Sequence, residues 1–91
     1  MPCLEKTITI VNKLGLHARA ATKLAQLSQQ FDTQVTLTLD GNEADAQSVM
    51  ALMLLAGGQG KSVTVKAQGK DAQIALKSIC QLINDKFDES E

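Results

Sequence analysis

Histidine occurs once in this chain, at position 17, within the run LGLHARAATKL. It stands two residues after Gly15, at the start of a segment with helical spacing whose opening turns carry Arg19 and Lys23 and no acid. The first amides of a helix are unpaired and together carry about half a positive charge, so acidic side chains normally gather there. Two cations in that place cost about a few tenths of a kcal/mol each, and a bound anion reverses the sign. The segment therefore reads as a helix start built to receive negative charge.

His17 falls at or beside the N-cap of that helix. A neutral imidazole there has a lone pair and is a competent nucleophile. A phosphoryl group on the ring would find acceptors' partners nearby: the backbone amides of Ala18 and Arg19, and a charge-assisted contact from the Arg19 guanidinium. Gly15 permits the sharp turn that would expose the ring. Set against this, His17 is an indifferent helix-start residue and Arg19 a solvated surface charge.

The elements that must hold these residues are few. Ninety-one residues make one domain, 1–91, able to bury a single core. Aromatics are scarce, Phe31 and Phe87 alone, so the core is expected to be built from Leu, Ile, Val, Met and Ala. Nine basic against ten acidic residues leave a net charge of −1, which argues against a nucleic-acid partner needing a basic face. Cys3 and Cys80 form no CxxC motif; Cys80 reads as core packing and Cys3 as free, with a disulfide between them left open. No metal constellation or cofactor motif is present. The longest apolar run, VMALMLLA, is far short of a membrane span, and the chain reads as cytosolic and reduced.

Along the chain, KTITIVNKLG alternates with Ile8 and Ile10 on one side, a half-buried strand ended by Asn and Gly. From Ala18 to about Gln30, Ala21, Leu24, Leu27 and Phe31 recur at helical spacing. TQVTLTLDGN restores alternation, with Asp40–Gly41 as a hairpin signal and a short return strand near 43–46. Ser48 then looks like the N-cap of a brief apolar helix, VMALMLL, stopped by AGGQG. KSVTVKAQG is the last strand. A second long helix from Asp71 to about Phe87 carries Ala72, Ala75, Leu76, Ile79, Leu82 and Ile83 on one stripe, and DKFDESE reads as a frayed acidic end. The order β-α-β-β-α-β-α predicts an α+β open-faced two-layer sandwich: a four-stranded antiparallel sheet with two long helices and one short helix on one face.

The short helix is more apolar than one face can hide. Leu52 and Leu55 are expected inside; Val49, Met50 and Met53 are candidates for an exposed patch beside His17, where methionine adapts to more than one partner.

At this point the run GLHARA resembles the G-[LM]-H-[AT]-R-P active-site motif of HPr, the histidine phosphocarrier family of the bacterial phosphoenolpyruvate-dependent phosphotransferase system. The resemblance spans nearly the whole chain through its length, element order, QSVMALMLLA and the Gly-rich turn before the last strand. VNKLGLHAR and the FD ending are most similar to the nitrogen-related branch, NPr. The resemblance implies that His17 takes a phosphoryl group on Nδ1 from phosphorylated enzyme I and passes it to a IIA-type protein, with Arg19 steadying the phosphate. It implies a cytoplasmic, monomeric carrier that is no enzyme in its own right, with no cofactor. The expected docking surface gathers Leu16, Ala20 and Lys23 with Val49, Met50 and Met53. Ser48 matches a position that a dedicated kinase modifies in some members, although an N-cap role explains it.

Two departures stand out. The motif proline is Ala20 here, which keeps the helix but loses the fixed φ of its first turn. Gln26, Gln29 and Ala51 are uncharged where some relatives are basic, weakening electrostatic steering of partners. Other classes make different predictions. GGQG fits the G-x-x-G loop of KH domains, but that loop joins two helices and this one precedes a strand. A non-phosphorylated regulatory or ligand-sensing α/β domain, with His17 incidental, would carry no acid-labile phosphate.

Overall fold

The structure, a computed structural model, describes residues 3–55 and 58–88. Its elements are β1 Cys3–Thr9, α1 Ala18–Ser28, β2 Thr33–Leu39, β3 Asn42–Asp45, α2 Val49–Leu54, β4 Ser62–Gly69 and α3 Ala72–Asn84, closed by a left-handed turn over Lys86–Asp88. The strands form one antiparallel sheet in the order β1-β4-β2-β3.

Strict alternation along each strand decides which face is covered. Ile8, Val63, Val65, Ala67, Val35, Leu37, Leu39 and Ala44 point to the helix side and are buried. Leu37 stands between Val65 on β4 and Ala44 on β3, so one buried row crosses three strands. On the other face Thr7, Thr64 and Thr38 lie in register, and the hydroxyls of Thr7 and Thr64 are 2.9 Å apart. The β2–β3 hairpin turns through Asp40 (φ 51°) and Gly41 (φ 83°), the paired positive φ values of a type I′ turn that matches strand twist.

The helix layer is built on small residues. Ala20, Ala21, Leu24 and Ala25 are buried along α1, and Ala72, Ala75, Ile79, Cys80 and Ile83 along α3. Alanines let the helices sit close to the sheet and to each other, while Leu, Ile and Val supply the bulk. α1 also packs against α2, and their far ends are joined: the buried Ser28 hydroxyl lies 3.0 Å from Ala25 O and 3.1 Å from Ala46 O, just ahead of α2, so its one proton is shared between the two carbonyls. Ser48 caps α2 as expected, its Oγ accepting from the Ala51 amide at 3.2 Å. Leu52 and Leu55 go inside. The Gly-rich stop begins at 56–57, outside the described residues; Gly58 to Gly60 lead directly into β4, so this loop does not join two helices.

Over residues 85–88 the structure corrects the expectation of a frayed acidic end. α3 stops at Asn84, short of Phe87, and the chain then turns through Lys86 (φ 59°) and Phe87 (φ 56°). That turn drives Phe87 into the interior, where it is the largest fully buried side chain. The aromatic side chain outweighs the charges beside it: burying a Phe is worth about 2–3 kcal/mol, enough to hold the 85–88 segment against the core. Lys23 Nζ on α1 donates to the Phe87 carbonyl at 2.8 Å and ties the tail down. Residues 89–91 lie outside the described residues.

Both cysteines are thiols, Cys3 exposed and Cys80 buried. Burial pushes the Cys80 thiol above its ordinary range, and the Lys6 ammonium offsets part of that rise. Among the described residues no helix is long and apolar enough to cross a membrane.

Candidate functional site

The site is assembled where β1 hands over to α1. Two backbone bonds pin the exit from β1: Ile10 N–H to Lys61 O and Gly60 N–H to Ile10 O, both 2.9 Å. The chain then turns at Asn12–Gly15, where the Gly15 amide donates to Asn12 O at 3.2 Å and Gly15 takes φ 64°. A left-handed conformation at this φ is cheap for glycine and costly for most other residues, so Gly15 fixes the reversal. Leu16 plunges into the core and His17 follows at the N-cap of α1 in extended backbone, φ −78° and ψ 178°.

From that position His17 begins the helix through its carbonyl, which accepts from Ala21 N at 2.8 Å. Its side chain makes no capping bond and the first turn holds no acid. As the first two residues of α1, Ala18 and Arg19 direct their amides toward the N-terminal end of the helix. Both residues are exposed and the ring is half-buried. α2 and α3 differ at this point. Ser48 caps α2 with its hydroxyl, and Asp71, the N-cap residue of α3, is an acid whose carboxylate accepts from Asp32 N at 2.7 Å. Only α1 starts on a histidine.

The ring itself is oriented by the turn. His17 Nδ1 lies 3.1 Å from the Gly15 carbonyl, and the same oxygen accepts from Asn12 Nδ2 at 2.9 Å. A carbonyl only accepts, so as a hydrogen bond this contact places a proton on Nδ1. The Asn12 side chain is completely buried. Sequence reasoning read it as a strand terminator; the signal available was an Asn three residues ahead of a Gly that needs positive φ.

The predicted docking residues divide. Leu16 and Ala20 retain 5% and 0% of their surface, so their side chains belong to the core and offer nothing to a partner. The reason is geometric: α1 packs sideways against α2 and α3 as well as down onto the sheet, which widens its inward face to include Ala20 as well as Ala21. Lys23 is half-buried and its ammonium holds the Phe87 carbonyl. Val49 is half-buried against the core. Met50 and Met53 are 74% and 45% exposed. Two residues not foreseen join them, Leu54 at 80% and Leu14 at 66%. Leu54 was legible in principle, since 50, 53 and 54 share a helix face by their i, i+3, i+4 spacing.

Leu54, at the last turn of α2, and Leu14 stand toward the His17 end of the domain. The loop leaving α2 is fastened to the segment leading to His17, with Gln59 Nε2 donating to Val11 O at 3.1 Å beside the Gly60–Ile10 bond. The Ser28–Ala46 link marks the opposite end. The helix start thus brings together an imidazole and, two residues on, an arginine, and the exposed apolar side chains are Leu14, Met50, Met53 and Leu54.

Comparison with known proteins agrees with that geometry. The family model for the PTS HPr component phosphorylation site matches residues 4–85. The chain is 50% identical over 90 residues to the phosphocarrier protein NPr of Shewanella violacea, covering 99% of each. It is 45% identical to the NPr of Escherichia coli K12, over 94% of this chain and 97% of that protein. It is 46% identical to the HPr of Cupriavidus necator, over 97% of this chain and 99% of that protein. Among solved structures, HPr from Thermoanaerobacter tengcongensis superposes with a TM-score of 0.92 at 39% identity, covering 97% of this chain and 99% of that one. The uncapped histidine, the four-stranded open sandwich and these relatives lead to one assignment: the chain belongs to the HPr family of phosphotransferase-system phosphocarrier proteins.

Proposed function

We propose that His17 accepts a phosphoryl group from phosphorylated enzyme I and passes it to a IIA-type protein, in the manner of the nitrogen-related branch. The observation that carries this reading is the helix start itself: His17 at the N-cap of α1, no acid in the first turn, and the Ala18 and Arg19 amides at its open end. A phosphoryl group on the ring brings oxygens that accept from those amides, and the Arg19 guanidinium adds a charge-assisted contact. The chain thus carries the group without being an enzyme; the barrier is lowered by groups that come together in the complex.

Leu14, Met50, Met53 and Leu54, with Val49 at their edge, form the surface against which donor and acceptor dock in turn. Flexible methionines suit a face that must fit two partners. Uncharged Gln26, Gln29 and Ala51 leave electrostatic steering weak, so the apolar contact carries more of the recognition. A phosphate on Ser48 would keep an oxygen acceptor at the start of α2 and set negative charge one and two residues from Val49 and Met50, opposing docking. The carrier acts in the cytoplasm as a monomer.

The test is incubation with enzyme I, Mg²⁺ and phosphoenolpyruvate, followed by intact mass at alkaline pH. The expected result is one added phosphoryl mass that acid removes and that His17→Ala lacks. An unmodified wild-type chain under conditions that phosphorylate an HPr control refutes the reading. Adding candidate IIA proteins from sugar and nitrogen systems separately then identifies the acceptor.

A further inference from the structure

Among the described residues two polar side chains are fully buried, Asn12 and Ser28. Ser28 is explained by its two carbonyl partners at the far end of α1. Asn12 lies at the site, and its amide shares the Gly15 carbonyl with the reactive ring: Asn12 Nδ2 at 2.9 Å and His17 Nδ1 at 3.1 Å. Gly15 is itself buried, so that carbonyl depends on protein donors.

We propose that Asn12 is a positioning residue for phosphoryl transfer: it keeps the Gly15 carbonyl hydrogen-bonded while His17 Nδ1 leaves it to take the phosphoryl group. The inference rests on the phosphocarrier reading and on Nδ1 as the nitrogen that bears phosphorus. In the resting geometry Nδ1 carries a proton and cannot attack. Water delivers a proton to Nε2 and removes the one on Nδ1, leaving the ring neutral. The Nδ1 lone pair then forms the N–P bond as the bond from phosphorus to the donor's leaving atom breaks, and that atom keeps the electron pair. The product retains Nε2–H, and Nδ1 no longer has a proton for Gly15.

At that moment a buried carbonyl with one donor would be stranded, which is costly. Here it is not, because Asn12 stays. The clamp is built for permanence: Asn12's own carbonyl accepts the Gly15 amide at 3.2 Å, so one residue holds both polar groups of the glycine at its φ of 64°. The ring is then free to move while the turn beneath it does not. On transfer to the acceptor the steps reverse and Nδ1–H returns to Gly15.

The test compares wild type, Asn12→Ala and Asn12→Ser, with ¹⁵N-labelled histidine and urea unfolding to establish that each is folded. Without Asn12 the carbonyl relies on the ring. The Nδ1–H tautomer of the unphosphorylated variant should therefore rise over Nε2–H, read from the ring nitrogen shifts. Phosphoryl uptake should slow about tenfold in kcat with KM nearly unchanged, the scale of one lost buried hydrogen bond. Onward transfer should not slow. Asn12→Ser, with a donor on a shorter arm, should fall between. A folded Asn12→Ala with wild-type tautomer ratio and uptake overturns the proposal. If Asn12→Ala does not fold, the wild-type Asn12 side-chain amide decides: its protons must remain protected from exchange in the phosphorylated protein, and rapid exchange overturns it. A wild type that takes up no phosphoryl group defeats the carrier reading instead, while the tautomer comparison still decides whether Asn12 governs the ring.

Discussion

Leu52 and Leu54 sit two residues apart on α2 and should fail in opposite ways when cut to alanine. Leu52 is fully buried, whereas Leu54 keeps 80% of its surface. Burying a whole leucine side chain is worth about 1.5–3 kcal/mol, so Leu54 has up to about 1.2–2.4 kcal/mol left to give to a partner. At 1.4 kcal/mol per tenfold that is a ceiling of about 7- to 50-fold in affinity. Alanine retains one methyl and interfaces desolvate incompletely, so about tenfold is the expected loss. Leu52→Ala should instead cost about 2–5 kcal/mol of fold stability through the cavity it leaves. The assay has two axes: urea unfolding for stability, and initial rates of phosphoryl uptake against carrier concentration for docking. Leu54→Ala should raise KM for uptake about tenfold with its unfolding midpoint within about 0.5 kcal/mol of wild type. Leu52→Ala should shift the midpoint strongly, and its folded fraction should dock normally. Wild-type KM for Leu54→Ala, or a loss of stability above about 1 kcal/mol, would refute the assignment of this face as the docking surface.

Two further outcomes follow from burial. Phe87→Ala should cost about 3–5 kcal/mol, a large share of the roughly 5–15 kcal/mol available to a domain, and lower Tm by about 12 °C or more; a change under about 1 kcal/mol in thermal or urea unfolding would mean the tail is not packed. Iodoacetamide at neutral pH should alkylate exposed Cys3 at least about tenfold faster than Cys80, because burial raises the Cys80 thiol and so lowers its thiolate fraction at any given pH. Raising the pH should narrow the gap, urea should abolish it, and equal rates in the native protein would contradict the structure.

Much of this fold can be read from period and punctuation. Alternation in TITI, VTLTL and SVTVKA assigned the covered face of every long strand, and Asp40–Gly41 announced its own turn, because these are local rules that tertiary contacts reinforce. His17 was legible for a similar reason: a helix start without acids contradicts the ordinary electrostatic pattern. Phe87 was missed because the charges around it dominate the composition of the tail, while its burial depends on a turn at two positive-φ residues that nothing local demands. Leu16 and Ala20 were assigned to the surface because adjacency in sequence to His17 was taken for adjacency on the face. Asn12 was undervalued because a hydrogen bond to a carbonyl three residues on becomes meaningful only when the histidine is seen to use that same oxygen.

The hydroxyl of Ser28 gives the molecule its temperament. By tying the back of α1 to the strand end that feeds α2, it fixes the spacing of the two helices at that end. If donor and acceptor dock in turn as proposed, a surface held in advance lowers the ordering cost of each encounter, and affinity can stay modest enough for quick release.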